Sequence, residues 1–303
     1  MIDIVLSADE RYARYAAVVM ASALANSPTP EQFRFFLLTP GLDPETPPRL
    51  RQVAESSGAQ LQVIQASPEG AGGIDVGRFG PAGLLRLQMD RYLPEDCHRV
   101  IYLDCDLVIL GDLADLWHTP LQGRTVAAVM DLCNPSNLGS RDGFDGYFNS
   151  GVMLIDLEAW RRERVAERAF EYLRTSGQGL KFPDQDALNH VMVDNWLPLS
   201  PVWNFQPTAY AAVEKAYTHL RPFLGDLEQA IRSPRIVHFI GSVKPWHPAC
   251  EHPLQPWFLD YAGKTAWPID AEALKRELSW LKRFRLALKQ PKIRRRRHKT
   301  RMA

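Results

Sequence analysis

The chain has 303 residues, 46% hydrophobic and 23% charged, the balance of an ordinary soluble globular protein with room for a sizeable core. Its net charge of +1 hides an asymmetry, because residues 272–303 hold 13 Lys and Arg against two Glu, a local +11 that leaves −10 for the body. No apolar run approaches the ~20 residues of a membrane span, no basic region precedes the apolar N-terminus as in a signal peptide, and Cys97, Cys105, Cys133 and Cys250 lack C-x-x-C spacing and read as reduced cytosolic thiols, not a disulfide or zinc framework.

Residues 3–7 are apolar and β-branched and predict a strand running into Ala8-Asp9. Tyr12, Tyr15, Val19 and Ala23 then recur at helical spacing. Residues 33–39 predict a second strand, 44–57 a polar helix closed by Gly58, and 61–65 a third strand. This alternation predicts a parallel sheet, and ligands of open α/β sheets sit beyond the carboxyl ends of the strands. Residues 69–83 are glycine-rich but never complete G-x-G-x-x-G, so they are not a dinucleotide fingerprint. A loop of this length is a mobile lid or a plain surface connection. A helix is expected over residues 82–92, with Arg86 in its first two turns.

The stretch Arg99 to Asp112 organises the chain. Val100 to Leu103 reads as a strand buried on both faces, and it ends in Asp104 and Asp106 around Cys105. Charge there is expensive unless it is paired or holds a cation. The pair therefore points to a hard divalent metal carrying a phosphorylated ligand. An isolated Asp-x-Asp also fits a turn cap followed by a solvated acid. Residues 125–130 predict another strand ending on a carboxylate, Asp131, and two strands delivering acids to one edge favour the metal.

Residues 134–148 form a loop rich in Asn, Gly and Asp, leading into Asn149-Ser150-Gly151 and an apolar run at 152–157; a helix is expected at 158–175. Pro183-Asp184-Gln185-Asp186 opens another helix, where Asp184 suits an N-cap and Asp186 suits the helix dipole. Those roles are compatible with a binding role. Residues 235–240 predict a late strand carrying His238, followed by Gly241 to His247. A histidine on such a strand is ordinarily a hydrogen-bonded core residue. Here a neutral imidazole would also complete a carboxylate metal site, and Lys244 with the Gly241 amide suits a diphosphate.

In the tail, Leu274, Leu278, Leu281 and Phe284 recur at helical spacing with Trp280 alongside, among Lys275, Arg276, Lys282, Arg283, Arg285 and Lys289. Pro291 is expected to end this helix, and Arg294 to Arg297 extends the charge. Such a helix suits an anionic membrane interface. A solvated charge run and a nucleic-acid arm are the alternatives, with nucleic acid disfavoured.

These motifs, in this order, resemble the retaining glycosyltransferases of family 8, which include bacterial lipopolysaccharide galactosyl- and glucosyltransferases. The matching pieces are Asp3-Ile-Val-Leu-Ser-Ala-Asp9, Arg86, Val100-Ile-Tyr-Leu-Asp-Cys-Asp106, Asp131, Phe148-Asn-Ser-Gly-Val-Met-Leu154, Asp184-Gln-Asp186 and His238-Phe-Ile-Gly-Ser-Val-Lys-Pro-Trp246. Cys105 stands where an aliphatic residue is usual. The resemblance implies a GT-A type α/β fold with a mainly parallel central sheet as a catalytic domain over residues 1–265, and the tail's own pattern reads residues 266–303 as a basic amphipathic membrane-association segment.

It further implies manganese, with magnesium as second choice, held by Asp104, Asp106 and His238. Ala8 and Asp9 would meet the uracil of a UDP-hexose donor, and Lys244 and Gly241 its diphosphate. Arg86, Asp131, Asn149, Asp184 and Gln185 would meet the sugar. Transfer would go to a saccharide or glycolipid acceptor; the basic tail is expected to hold the protein at the inner face of the cytoplasmic membrane, and loop 69–80, with five glycines, is expected to close over the donor and form part of the acceptor site. Gln185 would lie on the reacting face, where retention favours front-face attack, with Asp186 as the alternative nucleophile. An inverting GT-A transferase, a sugar-phosphate nucleotidyltransferase and a nucleic-acid-binding protein are the competing readings.

Overall fold

The computed structural model of the chain describes residues 1–70, 72, 74, 80–133, 146–175 and 180–300. Most of the expected lid at 69–80, and the loop from 134 to 145, lie outside those residues. The central sheet is built from β1 (Ile2–Ser7), β2 (Phe33–Thr39), β3 (Gln60–Gln65), β4 (Arg99–Leu103), β6 (Val126–Met130), β7 (Phe148–Asp156) and β8 (Trp196–Pro198). Their order is β3-β2-β1-β4-β7-β6-β8. A separate ribbon pairs β5 (Leu107–Ile109) antiparallel with β9 (Ile236–His238).

The β-α-β-α-β reading holds: β1, β2, β3 and β4 pair in parallel. Strand β7 departs from it, running antiparallel between β4 and β6. The sheet is thus mixed but mainly parallel. Two apolar layers cover it. One packs the helix Glu10–Ala25 and the later helices against β1, β2 and β5; the other packs Leu84, Leu87, Trp160 and Phe170 on the opposite face. Burial on both faces explains why these strands read as unbroken apolar runs.

The β7 reversal has a local consequence. Ala128 faces Met153, but the next β6 residue, Val129, faces Asn149. Ser150, Gly151 and Val152 are therefore unmatched on β6, and this bulge lies beside the carboxyl end of β4, where Val152 pairs with Leu103.

Three helical expectations need correction. The helix expected at 82–92 is broken into Gly80–Leu84, a 3-10 turn at Leu85–Gln88, and Met89–Tyr92. All four residues of the turn are buried, so no solvent face exists to sustain an amphipathic helix. The helix at 158–175 is two, Leu157–Arg162 and Val165–Thr175, parted where Arg164 takes φ +53°. Pro291 does not end the tail helix, which runs Trp280–His298 with the proline inside. Proline removes one helical hydrogen bond, and contacts with the body compensate beyond it.

Those contacts are specific. Arg296 grips Glu214 with Nε at 2.9 Å and Nη2 at 2.7 Å, and Lys292 adds an ion pair at 3.4 Å. Ile293 is buried, Arg297 Nε donates to the Pro253 carbonyl at 2.7 Å, and Thr300 bonds the Tyr210 hydroxyl at 3.1 Å. The expected leucine stripe is split, because Leu274 sits on a short helix, Ala271–Arg276, and Leu278 is buried at the turn that follows.

The Arg296 hydrogen bonds pull the Glu214 carboxyl down to about 2. Its folded value lies below the ordinary ~4.3, so its contribution is complete above that value and is lost as pH falls toward 2. Glu214→Gln should cost about 2 kcal/mol at neutral pH and speed tryptic cleavage within the tail. A tail equally resistant in this variant would show that docking does not depend on the pair.

Candidate active site

The site begins where β4 ends. The Asp104 amide donates to the Gly151 carbonyl at 2.8 Å, which ties the turn after β4 to the bulge in β7. Two residues on, the Asp106 carbonyl accepts the Phe239 amide at 2.9 Å, and Leu107 pairs directly with His238. The β5–β9 ribbon therefore sets His238 against both acids. Its Nε2 lies 3.2 Å from Asp106 Oδ1 and 3.8 Å from Asp104 Oδ2. One ligand atom from each of the three residues falls within 4.8 Å of the others.

The hydrogen bonds assign the histidine tautomer. Asn204 Nδ2 donates to Asn149 Oδ1 at 2.9 Å, which leaves Asn204 Oδ1 facing His238 Nδ1 at 3.0 Å. Nδ1 must then carry a proton, and in the neutral ring that leaves the Nε2 lone pair facing carboxylate oxygen. Two acceptors this close repel unless a positive charge lies between them. Two hard oxygen ligands and an imidazole nitrogen form a donor set suited to a divalent transition metal, and the polar partner on the far ring nitrogen is the usual support of such a ligand.

Two cations flank the acids. Arg86 Nη2 lies 2.7 Å from Asp104 Oδ1 and its Nε lies 3.0 Å from Asp184 Oδ2. Its Nη1 donates to the Ser150 hydroxyl at 2.9 Å, and the guanidinium sits 4.9 Å over the Tyr102 ring. Lys244 Nζ contacts Asp106 Oδ2 and donates to the Phe239 carbonyl at 3.1 Å. Burial pushes the Asp104 carboxyl up, with Arg86 opposing. Burial acts the same way on Asp106, but the interactions led by the Lys244 charge outweigh it and hold that carboxyl below the ordinary range. Burial works against the charged form of Arg86, yet Asp104 and Asp184 overcome it and keep the guanidinium firmly protonated.

A second network adjoins this one. Gln185 Nε2 donates to Asp131 Oδ2 at 3.0 Å, and its Oε1 accepts the Ser150 amide at 3.1 Å. Asn149 Nδ2 reaches the same Asp131 oxygen at 3.3 Å and Gln185 Oε1 at 3.2 Å. Asp104, Asp106, His238, Arg86, Lys244, Asp184, Asn149, Gln185 and Asp131 are thus joined through direct contacts and the Ser150–Gly151 bulge.

Other expected site residues stand apart from these contacts. Asp186 accepts from the Tyr147 hydroxyl at 2.5 Å and from the Phe182 amide at 3.0 Å, so both its oxygens are engaged. Ala8 and Asp9 follow β1, where Asp9 caps the helix Glu10–Ala25 by accepting the Tyr12 amide at 3.0 Å. Gly241 is exposed, with φ +96°, in the turn leading to Lys244.

Sequence reasoning missed two residues. A Cβ at Gly151 would lie 2.3 Å from His238 Cε1 and 2.7 Å from Asp104 Oδ2, so only glycine lets the bulge approach both ligands. Asn204 is fully buried and orients His238, but the surrounding Pro-Val-Trp-Asn-Phe carries no recognisable signal. Asn204→Ala should weaken divalent-metal affinity by about 10- to 100-fold, and Gly151→Ala should act in the same direction. Isothermal titration giving wild-type affinity for both would remove them from the metal's support.

Known proteins resemble this chain over most of its length. Residues 3–250 match the model of glycosyl transferase family 8. General stress protein A of Bacillus subtilis is 30% identical over 274 residues, 87% of this chain and 94% of that protein. A lipopolysaccharide 1,3-galactosyltransferase of Salmonella typhimurium is 24% identical over 269 residues, 86% of this chain and 77% of the relative. The structure of galactosyltransferase LgtC in complex with donor and acceptor sugar analogues matches with a TM-score of 0.78 at 28% identity, over 91% of this chain and 100% of that one. With its three candidate metal-ligand residues inside the matched span, the chain belongs to glycosyltransferase family 8.

Proposed function

We propose that the protein transfers a hexose, galactose or glucose, from a UDP-sugar to a saccharide acceptor with retention of anomeric configuration. Lipopolysaccharide or another cell-surface glycan is the product class. The convergence of Asp104, Asp106 and His238 between the two cations carries this reading. Manganese suits the mixed carboxylate and imidazole set, with magnesium second. When bound, the metal supplies Lewis acidity to the departing diphosphate.

The chain's own groups then have distinct tasks. Lys244 and the Gly241 amide hold diphosphate oxygens. Ala8 and Asp9 meet the uracil, with the 40% exposed Tyr12 ring beside them. Burial and the negative charge of Asp106 both push the Tyr12 phenol up, in keeping with its place at this edge. Arg86, Asp184, Asp131, Asn149 and Gln185 hold the sugar hydroxyls. An amide such as Gln185 is a weak nucleophile, and the Asp186 oxygens are already engaged. Front-face attack, with the leaving phosphate taking the acceptor proton, is the retaining route we favour.

Hydrolysis of a panel of UDP-sugars without acceptor tests this reading. One UDP-hexose should be consumed in a manganese-dependent way, and Asp106→Ala should lower the rate by at least 100-fold while leaving the thermal transition in place. The transfer product from a UDP-α-hexose should be α-linked by NMR, and a β-linkage would move the protein to the inverting reading.

Peripheral attachment to the inner face of the cytoplasmic membrane completes the proposal. No helix among the described residues is long and apolar enough to cross a membrane. Trp280, Leu281, Phe284 and Leu288 are 69%, 50%, 59% and 66% exposed and share one face of the tail helix. Lys282, Arg283, Arg285 and Lys289 lie among them. Each basic residue near an anionic leaflet contributes about 1 kcal/mol, and the aromatic rings suit the interface. Full-length protein should sediment with anionic liposomes at low salt and be released by high salt or by truncation after Trp267. Failure to sediment would withdraw the membrane from the proposal.

A further inference from the structure

Strand β7 is longer than the neighbour on one of its edges. β4 pairs with it from Asp156 to Val152, so among the described residues no strand covers that edge at 148–150. The backbone alternates there. The Tyr147 carbonyl accepts the Asp131 amide on the β6 side, and Phe148 and Ser150 turn their backbone groups the other way. A backbone amide or carbonyl left unpaired inside the fold is costly.

Side chains fill the gap. Ser150 gives its amide to Gln185 Oε1 at 3.1 Å, and its carbonyl accepts Arg86 Nη1 at 3.3 Å. Phe148 gives its amide to Asn189 Oδ1 at 2.8 Å, and its carbonyl accepts Asn189 Nδ2 at 2.9 Å. Gln185 and Asn189 are four apart on the helix Pro183–Val191, on one face. Four helical residues rise about 6 Å and two strand residues about 7 Å, so these two amides match the spacing of Phe148 and Ser150. The helix thus takes the place of the absent strand. Asn189 suits this role, because a primary amide offers an acceptor and a donor in one plane, as a backbone neighbour does. Its Nδ2 also donates to the Gln185 carbonyl at 2.9 Å. The Tyr147 hydroxyl, bonded to Asp186 at 2.5 Å, ties the same two segments once more.

We propose that Asn189 is a positioning residue for glycosyl transfer: it sets the register of this helix against β7 and, through that register, the place of the Gln185 amide. Gln185 spans two partners, with Oε1 on Ser150 and Nε2 donating to Asp131 Oδ2 at 3.0 Å. A slip of the helix along β7 breaks one end of that span. The inference rests on the transferase reading above, in which Gln185 meets the donor sugar. The hydrogen bonds of Asn189 go to Phe148 and Gln185, and the candidate metal ligands are carried by other segments. Metal and UDP binding therefore do not depend on it.

A double-mutant cycle tests this, run as acceptor-free hydrolysis with full-length protein, manganese and the UDP-hexose that the wild type consumes. Asn189→Ala should lower kcat about 10- to 100-fold, as a misplacement of roughly 1 Å does, with the donor KM within about threefold. The Kd for UDP with manganese, from isothermal titration, should stay within about twofold. Gln185→Ala should lower kcat on its own. Adding Asn189→Ala to it should cost no more than about twofold further, because the amide to be positioned is gone. Asn189→Asp keeps an acceptor for the Phe148 amide but sets oxygen against two carbonyls, so it should lose at least as much kcat as Asn189→Ala. If Asn189→Ala lacks a cooperative thermal transition, Asn189→Ser takes its place in the cycle.

A wild-type kcat in Asn189→Ala or Asn189→Asp would overturn the inference. So would a donor KM that rises in step with the loss of kcat, or an equal loss with and without Gln185, which is the mark of a merely structural residue. If the wild type turns over no UDP-sugar, the transferase reading fails, and ¹⁵N spectra judge the register alone. Asn189→Ala should then shift the side-chain amide resonances of Gln185 and Asn149 and leave the His238 ring resonances in place. Unmoved amide resonances would reject the positioning role.

Discussion

A carboxylate at the end of a strand buried on both faces loses most of its hydration, and Asp104 and Asp106 present that problem twice within three residues. The neighbouring structure answers it with positive charge. Arg86 reaches Asp104 and Lys244 reaches Asp106, while His238 sets a ring nitrogen beside both, where a bound cation would add to that charge. Each partner arrives from a different part of the chain, so each constrains the path of its own segment. Arg86 is drawn inward from a 3-10 turn, and Asp184 follows it from the start of the helix Pro183–Val191.

Strand β7 connects the charged centre to the network of Asp131, Asn149 and Gln185. Running antiparallel, it brings its first residues to the edge where β4 and β6 finish. Its bulge lets Asn149, Ser150 and Gly151 serve different neighbours: Asn149 touches Asp131 and Asn204, Ser150 touches Arg86, and Gly151 makes room for His238. A change in any of them disturbs both networks, because buried hydrogen bonds left half-made are costly.

Opposite charges on the tail and body also shape the molecule. Glu214 and Glu251 on the body take Arg296, Lys292 and Lys289 from the tail. These pairs, with buried Ile293, hold the far half of the helix down and leave the near half projecting its apolar face. The tail is therefore packed on the body at one end and a separate surface at the other.

Much of this was legible in the chain alone. Strands buried on both faces read as unbroken apolar runs, which located β1, β2, β4 and β6, and acids directly after such runs marked Asp104, Asp106 and Asp131 as expensive and purposeful. The order of the motifs carried the family. Other features needed tertiary structure. An apolar run reads alike in either direction, so the antiparallel sense of β7 was invisible, and strands of three residues such as β5 and β8 are too short for any period. Asn204 serves His238 from 34 positions away, Arg86 serves Asp104 from 18, and Glu214 holds Arg296 from 82. The break in the 82–92 segment and the helix that continues through Pro291 depend on those distant partners. Local sequence determines which residues must be buried and which charges must be answered; only the folded chain decides which distant group answers them, because that depends on contacts no local pattern encodes.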